Sequence, residues 1–320
     1  MHCPSKQVLN KAEYSPNIDA PKEYKKVVKV FFATDRNLIK GGTNNCSFGN
    51  ERAAMSYGIC EVSIPHDHRM GELESPSILK LEFSADPSKH IVLHNTLPKE
   101  KKQFFTEMAD IIRKSSGKKA FIFIHGYNVS FEDAARRTAQ MAYDLKFNGA
   151  PVFYSWPSEA YEVPDFYRQY LWLSFVRAYF TDEQNVEWAQ TDLKNFLNDF
   201  FEKSDAQNIY LIAHSMGSRA LTRAIADILA EKPSIKPRLK EIILAAPDID
   251  ADVFRRDIAS ALSVQENPIT TLYASSKDKA LALSKGIHGY PRAGDSGERL
   301  IVVVPGIEKQ LTRQMWIQVL

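Results

Sequence analysis

The chain has 320 residues, 44% hydrophobic and 25% charged, with 41 basic against 39 acidic side chains and a formal net charge of +2. This suits a soluble globular protein with a sizeable core, and the even charge balance argues against a nucleic-acid surface, which needs clustered Lys and Arg. Cys3, Cys46 and Cys60 are too widely spaced for a zinc site or a disulfide framework, and no apolar run reaches the roughly 18 residues of a membrane span. Residues 1–24 lack the apolar centre of a signal peptide, so the expected location is the cytoplasm.

Residues 1–25 read as a flexible arm and residues 26–320 as a single α/β domain. Val27 to Ala33 is a short buried strand, residues 36–55 read as a loop because of Gly41, Gly42, Asn44, Asn45 and Gly49, and Tyr57 to Ile64 is a second strand ended by Pro65. Residues 65–90 read as irregular. Phe104, Phe105, Met108, Ile111 and Ile112 recur at helical spacing and predict a helix over 99–114.

From there strands and helices alternate. Strands are expected at 120–124, 152–156, 208–213, 241–246, 269–274 and 300–304, with helices at 131–146, 183–202, 217–230, 250–262 and 278–285. Strands apolar on both faces and separated by helices imply a mostly parallel central sheet covered on both sides. Residues 159–181 interrupt the rhythm with a dense aromatic insertion that includes Tyr161, Phe166, Tyr170, Trp172 and Tyr179. Insertions at the carboxyl edge of such a sheet overlie the ligand crevice, so this segment reads as a helical lid or substrate wall, the alternative being an ordinary helix on the core.

The sharpest chemical signal is Ala213-His214-Ser215-Met216-Gly217, between an apolar strand and a helix. A strained strand-to-helix turn exposes a serine hydroxyl and tolerates only small residues two places before and after it, which makes Ser215 the candidate nucleophile. The plainer alternative is a tight turn whose serine caps the helix. An oxyanion hole needs two backbone N–H groups beside the nucleophile. Met216 supplies one by position, and Tyr127 in the turn His125-Gly126-Tyr127-Asn128 supplies the other, with Asn128 as second choice. His125 and His214 read as braces of their turns. The acid belongs at the end of a later strand, which favours Asp278, in Ser276-Lys277-Asp278, over Asp248. The base in the chain order Ser, Asp, His belongs after the last strand, where the sequence has no histidine. The one histidine after Asp278 is His288, which is the candidate base although it precedes that strand.

With Phe31-Phe32-Ala33-Thr34-Asp35-Arg36, Tyr57-Gly58, Val62 to Pro65, Ser155-Trp156-Pro157-Ser158, Asp182 to Asn185, Ala246-Pro247-Asp248-Ile249-Asp250, His288-Gly289, Arg292 and Gly294-Asp295, these motifs form an ordered set. The set resembles the bacterial esterase/lipase-like α/β-hydrolase family long held as a domain of unknown function. The resemblance implies an α/β-hydrolase fold and a cofactor-free serine hydrolase of carboxylic esters. It also implies a catalytic histidine in a Gly-His-Ser-like segment after the last strand. Here the tail reads Glu308-Lys309-Gln310-Leu311-Thr312, so the expectation is a truncated or frame-shifted C-terminus, which bears on activity and not on the fold. The His288 segment has its own counterpart in the family, which points to a structural or substrate-side role. Three functions follow: an esterase acting on a small-molecule ester with an apolar acyl part, a non-catalytic scaffold that binds a ligand or partner, and an acyltransferase that shares the acyl-enzyme step. Oligomeric state is not legible.

Overall fold

In the computed structural model, which describes residues 24–40, 46–76, 84–160, 172–262, 268–274, 279–295 and 307–309, the apolar runs become strands of one sheet. The nine described strands are β1 (Lys26–Lys40), β2 (Ser47–Ile64), β3 (Val92–Lys99), β4 (Lys119–Ile124), β5 (Ala150–Ser155), β6 (Asn208–His214), β7 (Leu239–Ala245), β8 (Ile269–Tyr273) and β9 (Ile307–Lys309). Their order is β3-β2-β1-β5-β4-β6-β7-β8-β9. The β1/β2 and β2/β3 pairs are antiparallel, and every other neighbouring pair is parallel. The helices are α1 (Lys101–Lys114), α2 (Phe131–Asp144), α3 (Trp172–Lys203), α4 (Gly217–Glu231), α5 (Ala251–Val253), α6 (Ala259–Leu262) and α7 (Lys279–His288).

Alternate residues of a strand face opposite sides of the sheet, and here both sides are apolar. Ala120, Ile122 and Ile124 join one cluster with Phe104 of α1, Phe196 of α3 and Leu221 of α4. Phe121 and Phe123 join the other with Phe131, Ala135 and Ala139 of α2. Burial on both faces is why β4 reads as an unbroken apolar run rather than an alternating one. The parallel register sets Ile124 beside Tyr154 and Ala213, and Ala213 beside Leu244. The residues that follow these four therefore emerge together at one edge of the sheet. Among the described residues no helix is long and apolar enough to cross a membrane.

Several boundaries differ from the sequence reading. Most of the loop expected at 36–55 is strand: β1 runs to Lys40 and β2 starts at Ser47, pairing Arg36 with Arg52 and Leu38 with Phe48 across three register shifts, while residues 41–45 lie outside the described residues. The ribbon projects beyond the covered sheet, so Leu38 and Ile39 are exposed, and a strand that is bulged and solvated loses the two-residue alternation that marks a half-buried one. Strand β3 was not expected; its sequence, VLHNTLPK, is polar and ends near Pro98, a composition suited to a sheet edge. The helix expected at 250–262 is α5, a π turn at Phe254–Ile258, and α6. Helix α3 begins at Trp172, well before the expected 183, so the later part of the aromatic insertion is its opening turns. The arm before residue 24, residues 161–171 of the insertion and the strand expected at 300–304 lie outside the described residues.

Candidate active site

Strand β6 ends at His214 and α4 starts at Gly217, so the chain must reverse within Ser215 and Met216. It does so with Ser215 at φ +48°, in the left-handed region that a non-glycine residue occupies at a cost of about 1–3 kcal/mol and keeps only where its surroundings hold it there. The turn is held by its backbone. Ser215 N–H donates to the Ala245 carbonyl at 2.8 Å, and the Ser215 carbonyl accepts from the N–H groups of Ser218 and Asp248, each at 3.1 Å. Two glycines set how closely the neighbouring turn approaches. A Cβ on Gly217 would collide with the His125 carbonyl oxygen, and one on Gly126 would lie 2.9 Å from the Ser215 Cβ. The turn after β4 is therefore packed directly against the serine. Met216 is buried at the head of α4, where first-turn N–H groups have no acceptor within the helix and the helix dipole favours negative charge.

The turn after β4 is braced from a distance. His125 is buried and stacked on Trp156 with ring centroids 5.0 Å apart, and Trp156 Nε1–H donates to the His125 carbonyl at 2.8 Å. His125 Nδ1 lies 2.9 Å from the Gly126 carbonyl, so it carries the proton and Nε2 is left as an acceptor for Ser155 Oγ at 3.1 Å. Burial, and then the Arg36 charge, push the His125 pKa well below its ordinary value, which matches a neutral ring in that tautomer. Arg36 donates through Nε to Ser155 Oγ at 2.8 Å and through its other nitrogens to the carbonyls of Gly49, Ser158 and Val129. Asn128 has φ +56°, and its N–H donates to Asp182 Oδ2 at 3.0 Å. That N–H is committed inside the protein, which removes Asn128 as second choice for an oxyanion donor. Asp182 also accepts from Ser158 Oγ and Glu159 N–H, yet burial still pushes its pKa up to about 6.

On the other flank of Ser215 lies a network that the sequence reading missed. The Asp248 carboxylate accepts from Arg292 Nε at 2.7 Å and Ser284 Oγ at 2.5 Å on Oδ1, and from Tyr179 Oη at 2.5 Å and Arg219 Nη2 at 3.2 Å on Oδ2. Burial alone would raise its pKa, but Arg219 and Arg292 outweigh that and hold it below the usual carboxylate range. Arg219 also donates to Glu183, which meets His288 Nε2 at 3.0 Å, while His288 Nδ1 lies 2.9 Å from the Ser284 carbonyl. Both ring nitrogens of His288 thus face acceptors within the protein. The Tyr179 ring stands 5.6 Å from that of Tyr127 and 5.7 Å from that of His288. Asp278 lies outside the described residues. The four-residue spacing of Ser284 and His288 was available in the sequence; their spatial meeting with Glu183, Arg219 and Asp248 was not. Among the described residues no group of three or more His, Cys, Asp or Glu is arranged to hold a metal ion.

A serine on a left-handed strand-to-helix turn, at the carboxyl edge of a mostly parallel sheet, agrees with the match of one family model to residues 100–318, described as an alpha/beta hydrolase of unknown function (DUF900). The chain belongs to this alpha/beta hydrolase family. The match starts just before α1 and takes in β4 to β9, so the motifs around Thr34-Asp35-Arg36 and Tyr57-Gly58 precede it. No curated protein and no solved structure matches the chain.

Proposed function

We propose that this alpha/beta hydrolase is a carboxylic-ester hydrolase that works through an acyl-enzyme on Ser215. The observation that carries the reading is the left-handed backbone of Ser215 with Gly126 packed against its side chain. In this reading Ser215 Oγ attacks the ester carbonyl, and the N–H groups of Met216 and Tyr127 receive the charge that develops on its oxygen. A base oriented by Asp278 takes the Ser215 proton during the attack and returns it to the leaving alcohol, and water deprotonated by the same base then cleaves the acyl-enzyme to free the acid and restore the serine. The substrate is a small molecule with an apolar acyl part, in keeping with the Tyr127 and Tyr179 rings near the turn. The chemistry draws on side chains and backbone alone. A reducing compartment such as the cytoplasm belongs to the reading and fits Cys46 and Cys60, both buried free thiols.

A second reading, a catalytically impaired scaffold that binds a ligand or partner, is favoured by one observation: His288, offered as base, has both nitrogens engaged by Glu183 and the Ser284 carbonyl. A fluorophosphonate probe separates the two. Labelling of folded wild-type protein that disappears in Ser215→Ala supports the hydrolase. Folded protein that takes up no more probe than Ser215→Ala refutes it.

A further inference from the structure

Asp248 occupies the strand end where an acid for an imidazole could stand, and its carboxylate is fully subscribed. A carboxylate offers about four lone-pair sites on two oxygens, and here Ser284, Arg292, Tyr179 and Arg219 take them. The donors come from α7, the segment after α7, α3 and α4. The loop that carries Asp248 is also stitched by its backbone: Ala293 N–H donates to the Ile249 carbonyl at 2.7 Å and Gly294 N–H to the Pro247 carbonyl at 2.9 Å. Ala246, just before it, is itself left-handed at φ +46°. The output of this arrangement is one contact, the Asp248 N–H donating to the Ser215 carbonyl.

We propose that Asp248 is a positioning residue for the nucleophile: its carboxylate, clamped by Tyr179, Arg219, Ser284 and Arg292, fixes the loop whose N–H holds Ser215 in its left-handed conformation. A strained residue keeps its conformation only when its neighbours over-determine it, and the four donors supply that constraint from four separate elements. The clamp also gives the aromatic insertion a role. Tyr179 sits in its described part, so the hydroxyl of Tyr179 ties the start of α3 to the serine turn. Asp248 acts on Ser215 through the backbone and leaves no acceptor for an imidazole, so the acid of the triad lies elsewhere. The proposal takes Ser215 as the nucleophile, and it extends that reading.

The test uses the full chain with Asp248→Asn and Tyr179→Phe, the latter removing one donor while keeping the ring. Two quantities are followed: amide hydrogen exchange in peptides spanning 213–219, and the second-order rate of fluorophosphonate labelling against pH. The clamp predicts faster exchange in 213–219, roughly tenfold or more for Asp248→Asn and severalfold for Tyr179→Phe, because a local contact has been released. Labelling should slow by roughly 10- to 100-fold in Asp248→Asn, the scale of a small misplacement of reacting atoms, with the midpoint of its pH profile unmoved. Unchanged exchange in 213–219 in either folded variant overturns the clamp. So does a labelling loss on the order of 10⁴-fold with a displaced pH midpoint, the mark of a triad acid. Should Asp248→Asn not fold, Tyr179→Phe decides alone by the same criteria. If wild-type protein is not labelled at all, the hydrolase reading fails, and the exchange measurement still decides whether Asp248 holds the turn.

Discussion

Replacing Asp35 by asparagine should change how the stability of the protein depends on pH. Asp35 lies on β1 with 0% of its surface exposed. Its Oδ2 accepts from Tyr154 Oη at 2.7 Å, and its Oδ1 has no hydrogen-bond partner among the described residues. Burial is the main reason that its pKa rises from 3.8 to about 7. Three units at about 1.4 kcal/mol each make the ionised form roughly 4 kcal/mol less favourable in the folded protein than in the unfolded chain. The sign follows from proton counting. Between pH 4 and 7 the folded protein holds the Asp35 proton and the unfolded chain has released it, so stability falls as pH rises through that window and levels off above 7.

Asparagine stays neutral throughout and so removes the pH-dependent part. In exchange it places an amide NH₂ where Oδ1 stood, a constant cost of about 1–3 kcal/mol for an unsatisfied buried donor. Urea unfolding of both proteins from pH 4.5 to 8 should therefore show Asp35→Asn the weaker at the acid end. The difference should move in its favour by roughly 3 kcal/mol toward pH 8. A difference that stays constant across the range would refute the assignment of Asp35 as a carboxyl held protonated by burial.

Gly217→Ala drives a methyl group into the His125 carbonyl, and the displaced turn should lose roughly 100-fold or more in fluorophosphonate labelling rate while the far-UV circular dichroism spectrum is retained; a rate within a few-fold of wild type would show that the close approach is unimportant. Arg36→Met leaves Ser155 and the carbonyls of Gly49, Ser158 and Val129 without their donor, and chemical denaturation should register a loss of roughly 3–5 kcal/mol, the scale of leaving several buried acceptors unpaired at about 1–3 kcal/mol each. Under the proposed function, His288→Ala should leave the fluorophosphonate labelling rate within about tenfold of wild type, because both ring nitrogens are already engaged; a loss of 10³-fold or more, the scale of a removed general base, would count against that.

The Ser215 turn was legible because everything that marks it is local, although what holds it is not: an apolar strand, small residues two places away on either side, and a helix. The parallel half of the sheet was legible for a related reason, since strands such as β4 are buried on both faces and leave continuous apolar runs. The ribbon of β1 and β2 was misread because Gly49 and the Asn residues suggest a loop when pairing with a partner strand is invisible. The Asp248 network was illegible for a stronger reason. Its members stretch from Tyr179 to Arg292, and no spacing rule connects a tyrosine on one helix with an arginine more than a hundred residues later. Arg36 gave a motif without a meaning until the fold put it beneath His125.

The Arg36, Ser155 and His125 contacts run in one direction, each group donating to the next and the last proton pointing at the Gly126 carbonyl. The polarity of that wire is set by a cation from β1, a strand that precedes the matched range of residues 100–318. A fragment cut to that range would keep the serine and both glycines. It would also uncover the flank of β5 where β1 pairs from Phe31 to Thr34, and it would take the Arg36 donors away from Ser155 Oγ and from the carbonyls of Ser158 and Val129. Under the proposed function, the smallest piece expected to be labelled at Ser215 therefore includes β1.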